Sequence, residues 1–348
     1  MPAEWEMHSG TQLHWPHNRE TWPGERLEKV EDVYAHIIEV LTQYEHVHLF
    51  VANEYIQQRA RTYLNKRDIN DEQLTFHQTK INDVWARDCG PIFVKDGNGY
   101  VITNWIYNAW GEKYPPWSDD DELPVYVSDY LGIPRVDPAM VLEGGSIDTN
   151  GKGLFLTTES VLLNPNRNPS FSKADIERKL KNFLGAEHII WLGKGLVGDD
   201  TDGHVDDLTR FLNENTVLTM ISEDPEDVNA EVLQKNLEIL KSVRLKDGLS
   251  LNIETLPLPK TKIEGTTVDG SSHVPASYAN FYIANGVVLV PLYDERYDQQ
   301  ALDLFARYFS DRDVIGIPCT DLVWGQGSIH CITQQWYTGR VNTFPEII

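Results

Sequence analysis

The chain has 348 residues, and 53 Asp and Glu residues against 30 Lys and Arg residues give it a formal charge of −23. A field of that sign repels phosphate groups, which argues against nucleic acid or an anionic membrane as a partner and favours a cationic ligand. Hydrophobic residues make up 41% and charged residues 24% of the chain. These proportions are typical of a folded globular protein and exclude a disordered or fibrous one.

The sequence carries no sign of export or membrane insertion. Residues 1–24 lack the continuous apolar core of a signal peptide, and the longest apolar runs fall far short of the roughly 20 residues that span a bilayer. Three cysteines, Cys89, Cys319 and Cys331, form an odd count without metal-type spacing. We therefore expect a cytoplasmic protein with reduced thiols.

One unit recurs about five times along the chain: a strand, a turn rich in Gly, Asn and Asp, a return strand, a helical segment and an extra strand. The predicted hairpins pair 89–94 with 100–105, 145–148 with 154–158, 204–212 with 216–221, and 278–283 with 287–292, and a last strand at 328–333 lacks a return strand. Helical periodicity covers 26–44, 53–64, 173–184, 225–244 and 298–309. The extra strands are predicted at 47–51, 187–192, 251–256 and 314–317.

Five such units, none able to bury its own apolar face, predict a closed α/β ring around a central axis. No linker interrupts the pattern, so residues 1–348 are expected to form a single domain. Polar residues on the hairpins should then collect at one end of the axis. Alternation along a strand would place His204 and Asp206 on one face, and His330 and Cys331 on opposite faces. A histidine distant in sequence would therefore serve Cys331.

Structural interpretations compete with these chemical ones. A cysteine in a strand is more often a small buried hydrophobic residue than a nucleophile. Asp88 fits an ion pair or a turn cap, and Glu143 fits a tight glycine turn. The acidic segment 199–207 is compatible with a solvated loop or with a metal site built from Asp202, His204 and Asp206.

Taken together, however, several stretches resemble one known family, the agmatine deiminases. The likeness covers nearly the whole chain and rests on residues 1–5 (Met-Pro-Ala-Glu-Trp), 85–91 (Trp-Ala-Arg-Asp-Cys-Gly-Pro), 143–146 (Glu-Gly-Gly-Ser), 163–169, 203–206 (Gly-His-Val-Asp) and 327–335 (Gly-Ser-Ile-His-Cys-Ile-Thr-Gln-Gln). The resemblance implies the pentein fold, a five-bladed α/β propeller. The cysteine motif with the His-Val-Asp motif upstream is specific for the superfamily and separates its members less sharply.

The resemblance also implies the roles of five residues. Cys331 matches the nucleophile, His204 the general acid/base, Glu143 the carboxylate that orients the histidine, and Asp88 and Asp206 the pair that binds the guanidinium. The implied reaction hydrolyses agmatine to N-carbamoylputrescine and ammonia through a covalent amidino-cysteine, with no metal and no organic cofactor. A planar, permanently charged guanidinium suits two carboxylates at its edges.

The sequence also departs from the family pattern. Gln326 interrupts a glycine-rich run between Gly325 and Gly327, Cys89 stands where threonine is common, and the segment before His204 is unusually acidic. For the amine end of agmatine, which carries no carboxylate, we expect Trp85, Trp110 and Asp202 to line the pocket.

Two kinds of alternative stay open at this point. The chemistry could act on arginine, peptidyl-arginine or methylated arginine, or the chain could be a non-catalytic propeller that binds polyamines or a metal. An ammonia-release assay without added metal separates these readings. A homo-oligomer is compatible with the sequence, which contains nothing that decides it.

Overall fold

Five small β-sheets, one per repeat, form the frame of the protein in the computed structural model, which describes residues 1–97, 99–245, 248–260 and 266–338. In four of them an antiparallel hairpin is joined by a third strand that runs parallel to the second. Their strands are β4 (Ile92–Asp96), β5 (Gly99–Thr103) and β6 (Arg135–Val136); β7 (Asp148–Thr149), β8 (Leu154–Thr158) and β9 (His188–Leu192); β10 (Thr209–Asn213), β11 (Thr216–Ile221) and β12 (Asn252–Pro257); and β13 (Tyr282–Ile283), β14 (Val287–Leu292) and β15 (Asp313–Pro318).

The fifth sheet joins the two ends of the chain. Its order is β16 (Gln334–Trp336), β1 (Gly10–His14), β2 (Val47–Val51) and β3 (Leu74–Gln78), with β16 antiparallel to β1. The last repeat therefore finds its return strand at the N-terminus. This closure confirms the five-bladed α/β propeller, the pentein fold, that the repeats and the family resemblance predicted.

Amphipathic helices pack their apolar faces against the sheets. The helices of more than one turn are α1 (Arg26–Leu41), α2 (Glu54–Leu64), α6 (Leu123–Leu131), α8 (Lys173–Leu184), α9 (Ala230–Ser242) and α10 (Asp298–Tyr308), and single turns form α3 (Ala86–Cys89), α4 (Ala109–Glu112), α5 (Ser118–Asp121), α7 (Glu159–Leu162) and α11 (Ile329–Ile332). In α8, a capping box between Ser172 and Asp175 begins the helix and Gly185, at φ 75°, ends it. The five predicted helices and four predicted extra strands are all present, most with shifted ends. None of the helices in the described residues is long and apolar enough to cross a bilayer.

The polar ends of the predicted strands differ from expectation. The segments around Asp88, Asp206, Asn280 and Cys331 form short helical turns, and the strands begin only after them. In the first repeat Gly90-Pro91 separates the two, because a proline has no N–H to donate to a ladder. The prediction that these residues lie on strands was therefore wrong, although the side chains of His204 and Asp206 do lie together as expected, with Nδ1 4.0 Å from Oδ1. Asn98 of the first predicted turn and residues 339–348 lie outside the described residues.

Candidate active site

The turns from several repeats surround one cavity of about 630 Å³. Cys331 and Asp88 lie in its wall with the aromatic side chains of Trp85 and Trp110. The other lining residues are His17, Asn18, Arg19, Glu20, Thr21, Ile81, Asn82, Asp83, Tyr107, Ala109, Lys113, Tyr114, Pro115, Pro116, Trp117, Asp120, Asp200, Thr201, Val268, Gly325 and Gln326. Two of the three residues expected for the amine end, Trp85 and Trp110, thus line the cavity.

Asn280 fixes the position of Cys331. Its Oδ1 accepts hydrogen bonds from the backbone N–H groups of His330 (2.9 Å) and Cys331 (3.4 Å), and its Nδ2 donates to Cys331 Sγ (3.1 Å). The Cys331 residue is only 5% exposed. Gly327 lets the loop pass close to the indole of Trp85, because a Cβ there would lie 2.3 Å from Trp85 Cζ3.

The side chains of His204, Asp88 and Asp206 meet beside the Cα atom of Gly145. A Cβ added at Gly145 would lie 2.6 Å from His204 Nδ1, 2.8 Å from Asp88 Oδ1 and 3.0 Å from Asp206 Oδ2. The same Asp206 oxygen lies 3.9 Å from Cys331 Sγ. Glycine is therefore required in the Glu143-Gly144-Gly145 stretch, because any side chain would fill the space where these groups meet. Four of the five residues named from the family resemblance, Asp88, His204, Asp206 and Cys331, are brought together here.

Asp88 is held by two neutral donors. Gly145 N–H donates to its Oδ1 and Trp110 Nε1–H to its Oδ2, each over 3.0 Å. Trp110 reaches it from a turn in which Ala109, Trp110 and Glu112 all have positive φ (48°, 58° and 64°). Such angles are costly for residues with side chains and occur mainly at functional sites. The fold thus tolerates local strain to aim this indole at Asp88.

The cluster carries uncompensated negative charge. Burial, followed by the Glu143 carboxylate, raises the pKa of Asp88 to about 7. Burial and then Asp88 raise the pKa of Asp206 well above its ordinary value, and one of its oxygens, Oδ1, has no hydrogen-bond partner. Burial and the carboxylates of Asp206 and Asp207 raise the pKa of the Cys331 thiol in the same way. A bound cation would offset all three penalties.

His204 is fully buried beside this cluster. Neither of its ring nitrogens has a hydrogen-bond partner, and Nδ1 lies 3.6 Å from Asp88 Oδ1 and 4.0 Å from Asp206 Oδ1. Burial, together with the positive charges of Arg167 and Lys113, holds the pKa of His204 well below its usual value. The neutral imidazole is therefore the favoured form of His204 in the unliganded protein.

Arg167, which the sequence analysis did not single out, organises the remaining carboxylates. Its Nε donates to Glu143 Oε1 and its Nη1 to Asp202 Oδ2, both over 2.6 Å. Lys113 Nζ lies 2.9 Å from the other Asp202 oxygen. Asp202 is thus neutralised by two cations and is not among the residues that line the cavity, unlike the expectation for the amine end. Glu143 Oε2 and both His204 nitrogens lack partners, so the expected hydrogen bond between them is not formed here.

His330 is tied to a structural network. Its Nδ1 lies 2.7 Å from Asp206 Oδ2 and its Nε2 lies 2.8 Å from Glu4 Oε2. Glu4, from the N-terminal motif, also pairs with Arg87 (3.2 Å) and Arg210 (3.0 Å). The network holds both ring nitrogens of His330, which leaves His204 as the histidine available for proton transfer.

A metal interpretation finds little support in these contacts. Asp202 is occupied by Arg167 and Lys113, which leaves the proposed trio with His204 and Asp206 incomplete. Within the described residues, two other groups bring three ligand types together: His14, Cys89 and Asp120, and Asp206, Asp207 and Cys331. In the first group both His14 nitrogens and both Asp120 oxygens already have hydrogen-bond partners.

Comparison with known proteins places this geometry in one family. The profile of the Porphyromonas-type peptidyl-arginine deiminases matches residues 1–336. A Legionella pneumophila relative provisionally named an agmatine deiminase is 38% identical over 96% of this chain and 94% of its own length. The solved structure of the Enterococcus faecalis agmatine deiminase is 31% identical, with a TM-score of 0.88 over 98% of this chain and 96% of that one.

The names of the relatives differ in the substrate they give. A solved Porphyromonas gingivalis structure, provisionally named an arginine deiminase, is 35% identical, with a TM-score of 0.87 over 97% of this chain and 98% of that one. All of these matches cover nearly the full length of both chains, including the repeats that supply the cavity. The chain therefore belongs to the Porphyromonas-type peptidyl-arginine deiminase family.

Proposed function

We propose that the protein hydrolyses agmatine to N-carbamoylputrescine and ammonia through a covalent intermediate on Cys331. The observation that carries the proposal is the convergence of Asp88, Asp206 and His204 on one point beside Cys331, in a buried and acidic cavity. The names of the similar proteins support the same reaction class. We also infer that the catalytic unit acts as a single domain in a reducing, cytoplasmic setting.

Asp88 and Asp206 bind the guanidinium. Each presents a buried carboxylate whose ionised form is disfavoured in the unliganded protein, and a planar cation between them would be held by charge-assisted hydrogen bonds. The indole of Trp110 already fixes the orientation of Asp88. The guanidinium carbon would then lie beside Cys331 Sγ.

The bound cation activates its own nucleophile. In the unliganded protein burial, together with Asp206, Asp207 and Asp88, raises the pKa of the Cys331 thiol. A guanidinium would offset the effect of the carboxylates and lower that pKa. The thiol proton passes to neutral His204, and the thiolate adds to the guanidinium carbon. His204 then returns the proton to the departing amino group, so that ammonia leaves and a cationic amidino-cysteine remains.

Water completes the reaction. Neutral His204 takes a proton from a water molecule as its oxygen adds to the amidino carbon, and collapse of the tetrahedral adduct breaks the carbon–sulfur bond. The hydroxyl proton of the adduct passes to the departing sulfur, which leaves Cys331 as a thiol and the product with a neutral ureido group. His204 gives its own proton to solvent and returns to the neutral form. Glu143 is proposed to orient His204 through its unpartnered Oε2, with Arg167 holding its other oxygen.

The charge of the cavity favours agmatine over arginine. Five lining residues carry carboxyl groups, namely Glu20, Asp83, Asp88, Asp120 and Asp200. The two lining cations are both paired, Arg19 with Glu28 over 2.7 Å and Lys113 with Asp202 over 2.9 Å. Among the described residues, no lining Lys or Arg is therefore left unpaired to receive the carboxylate of arginine, whereas a terminal ammonium finds acceptors.

Asp200 is the residue we assign to that ammonium, in place of Asp202. Its Oδ2 accepts a hydrogen bond from Tyr114 (2.6 Å), and burial with the nearby Asp199 and Asp269 raises its pKa to about 7. Asp200→Asn is expected to raise the KM for agmatine about ten- to a hundredfold, because a charge-assisted contact is lost, with a smaller change in kcat. Steady-state kinetics check this, and an unchanged KM would remove Asp200 from the amine site.

The proposed function is tested by ammonia release from agmatine, arginine, a peptidyl-arginine and dimethylarginine, without added metal. We expect agmatine to have the highest kcat/KM, by about a hundredfold or more over arginine, because a carboxylate beside like charges costs several kcal/mol. Faster turnover of arginine would overturn the substrate assignment and leave the chemistry standing. No ammonia from any guanidine would overturn the enzymatic function.

A further inference from the structure

Gln326 occupies a backbone conformation that favours glycine. Its φ is +77°, in the left-handed region, although it carries a long side chain and is only 4% exposed. It lies in the cavity wall, in the nucleophile loop between Gly325 and Gly327. The glutamine must therefore make contacts that offset the unfavourable backbone, and these contacts determine where its amide points.

Contacts on one side fix the orientation of the amide. Gln326 Nε2 donates to Thr267 Oγ1 over 2.8 Å and to Asp269 Oδ1 over 3.0 Å. An ionised carboxylate only accepts hydrogen bonds, so the NH₂ group must face Asp269. The opposite atom, Oε1, is buried and has no hydrogen-bond partner in the part of the chain that the structure describes. An unsatisfied buried acceptor of this kind is costly unless a ligand supplies the donor.

Asp269 links the amide of Gln326 to the residues of the proposed amine site. Asp269, which holds Nε2, acts electrostatically on both Asp200 and Tyr114 of the amine site. Val268, between the two anchors, is itself a lining residue. A donor that meets Oε1 is therefore more naturally the terminal ammonium of the substrate than its guanidinium.

We propose that Gln326 is a specificity residue whose Oε1 accepts a hydrogen bond from the terminal ammonium of the substrate. The inference rests on the proposed function and adds a neutral acceptor to the carboxylate of Asp200. It also explains why a glutamine occupies a position where the backbone favours glycine. The side chain supplies an acceptor whose direction is fixed by Thr267 and Asp269, and this contact offsets the unfavourable backbone conformation.

The test compares agmatine with 1-butylguanidine, which lacks the terminal ammonium. In Gln326→Met, a variant of similar length without an acceptor, the ratio of kcat/KM for agmatine to that for 1-butylguanidine should fall about tenfold or more. Gln326→Gly, which suits the left-handed backbone, should show the same fall and guards against misfolding of the first variant. Thr267→Val keeps the acceptor and one Nε2 anchor, and should change the ratio less.

A second measurement gives the selectivity without turnover. Calorimetry measures the Kd of agmatine and of 1-butylguanidine for the same variants in a Cys331→Ser background, and the ratio of the two Kd values is the binding selectivity. A selectivity that stays constant in both Gln326 variants would overturn the proposal and leave Gln326 as a tether of the Thr267–Asp269 turn. So would an equal loss for both guanidines. Failure of the proposed function would look different: the wild-type protein would bind these guanidines without releasing ammonia from either.

Discussion

Cys331→Ser is expected to lower kcat by at least about 10³- to 10⁴-fold, a lower bound set below the loss of about 10⁶-fold that removal of the nucleophile causes in a serine protease. A hydroxyl has a far higher pKa than a thiol, so even a bound guanidinium could not generate the anion that adds to the substrate carbon. Ammonia release under saturating agmatine measures the effect. Binding of agmatine should persist, since Asp88 and Asp206 are untouched.

The other two cysteines provide matched controls. Cys89 and Cys319 are buried, their pKa values are also raised (that of Cys319 to about 12), and neither lines the cavity. Cys89→Ser and Cys319→Ser should retain most of the activity, and a serine at 89 can still donate to the carbonyl of Trp85, which Cys89 Sγ contacts at 3.2 Å. Mass spectrometry of quenched turnovers should find the amidino adduct on Cys331, and an adduct on Cys89 would contradict the assignment.

The repeat pattern predicted most of the architecture because the strands and helices of each blade are determined by residues that are close together in sequence. The helix at Lys173–Leu184 and the strand at Val47–Val51 have the predicted ends, since apolar periodicity, a Ser172 cap and a Gly185 stop are all read from neighbouring residues. The polar turns could not be predicted in this way. Their side chains are held at the central cavity by contacts with residues from other blades, and such contacts produce no periodic pattern in the neighbouring sequence.

The sequence predicted the reacting groups of the candidate site, but it did not predict the residues that hold those groups in position. Family motifs named Cys331, His204 and Glu143, whereas Arg167 and Asn280 received no role because their significance lies in contacts across the ring. His330 and Glu4 show the limit clearly: their side chains meet over 2.8 Å although 326 positions separate them in sequence. Sequence spacing cannot predict a contact between residues so far apart in the chain. Nothing in the sequence distinguishes Asp202 from Asp200 as the carboxylate for the amine end, and the two cations that pair with Asp202 become visible only in the fold.

The second large effect is expected from Asp206→Asn. The substitution keeps an acceptor for His330 and removes the charge that faces both the guanidinium and Cys331. Loss of one charge-assisted pair should lower kcat/KM for agmatine at least about ten- to a hundredfold. The effect should fall mainly on binding, because removing a carboxylate beside Cys331 also eases ionisation of the thiol and offsets part of the chemical loss.

Stability distinguishes this role from a structural one. The pKa values of Asp206 and Asp88 are raised by folding, that of Asp88 to about 7, so their contribution to stability is complete below about pH 4 and is lost as the pH rises through the raised values. Without substrate, the wild type should therefore lose stability relative to Asp206→Asn as the pH rises from about 4 into the alkaline range. Thermal unfolding of both proteins across that range measures the difference. A variant that is less stable at neutral pH and binds agmatine normally would make Asp206 a support for His330 rather than a ligand for the guanidinium.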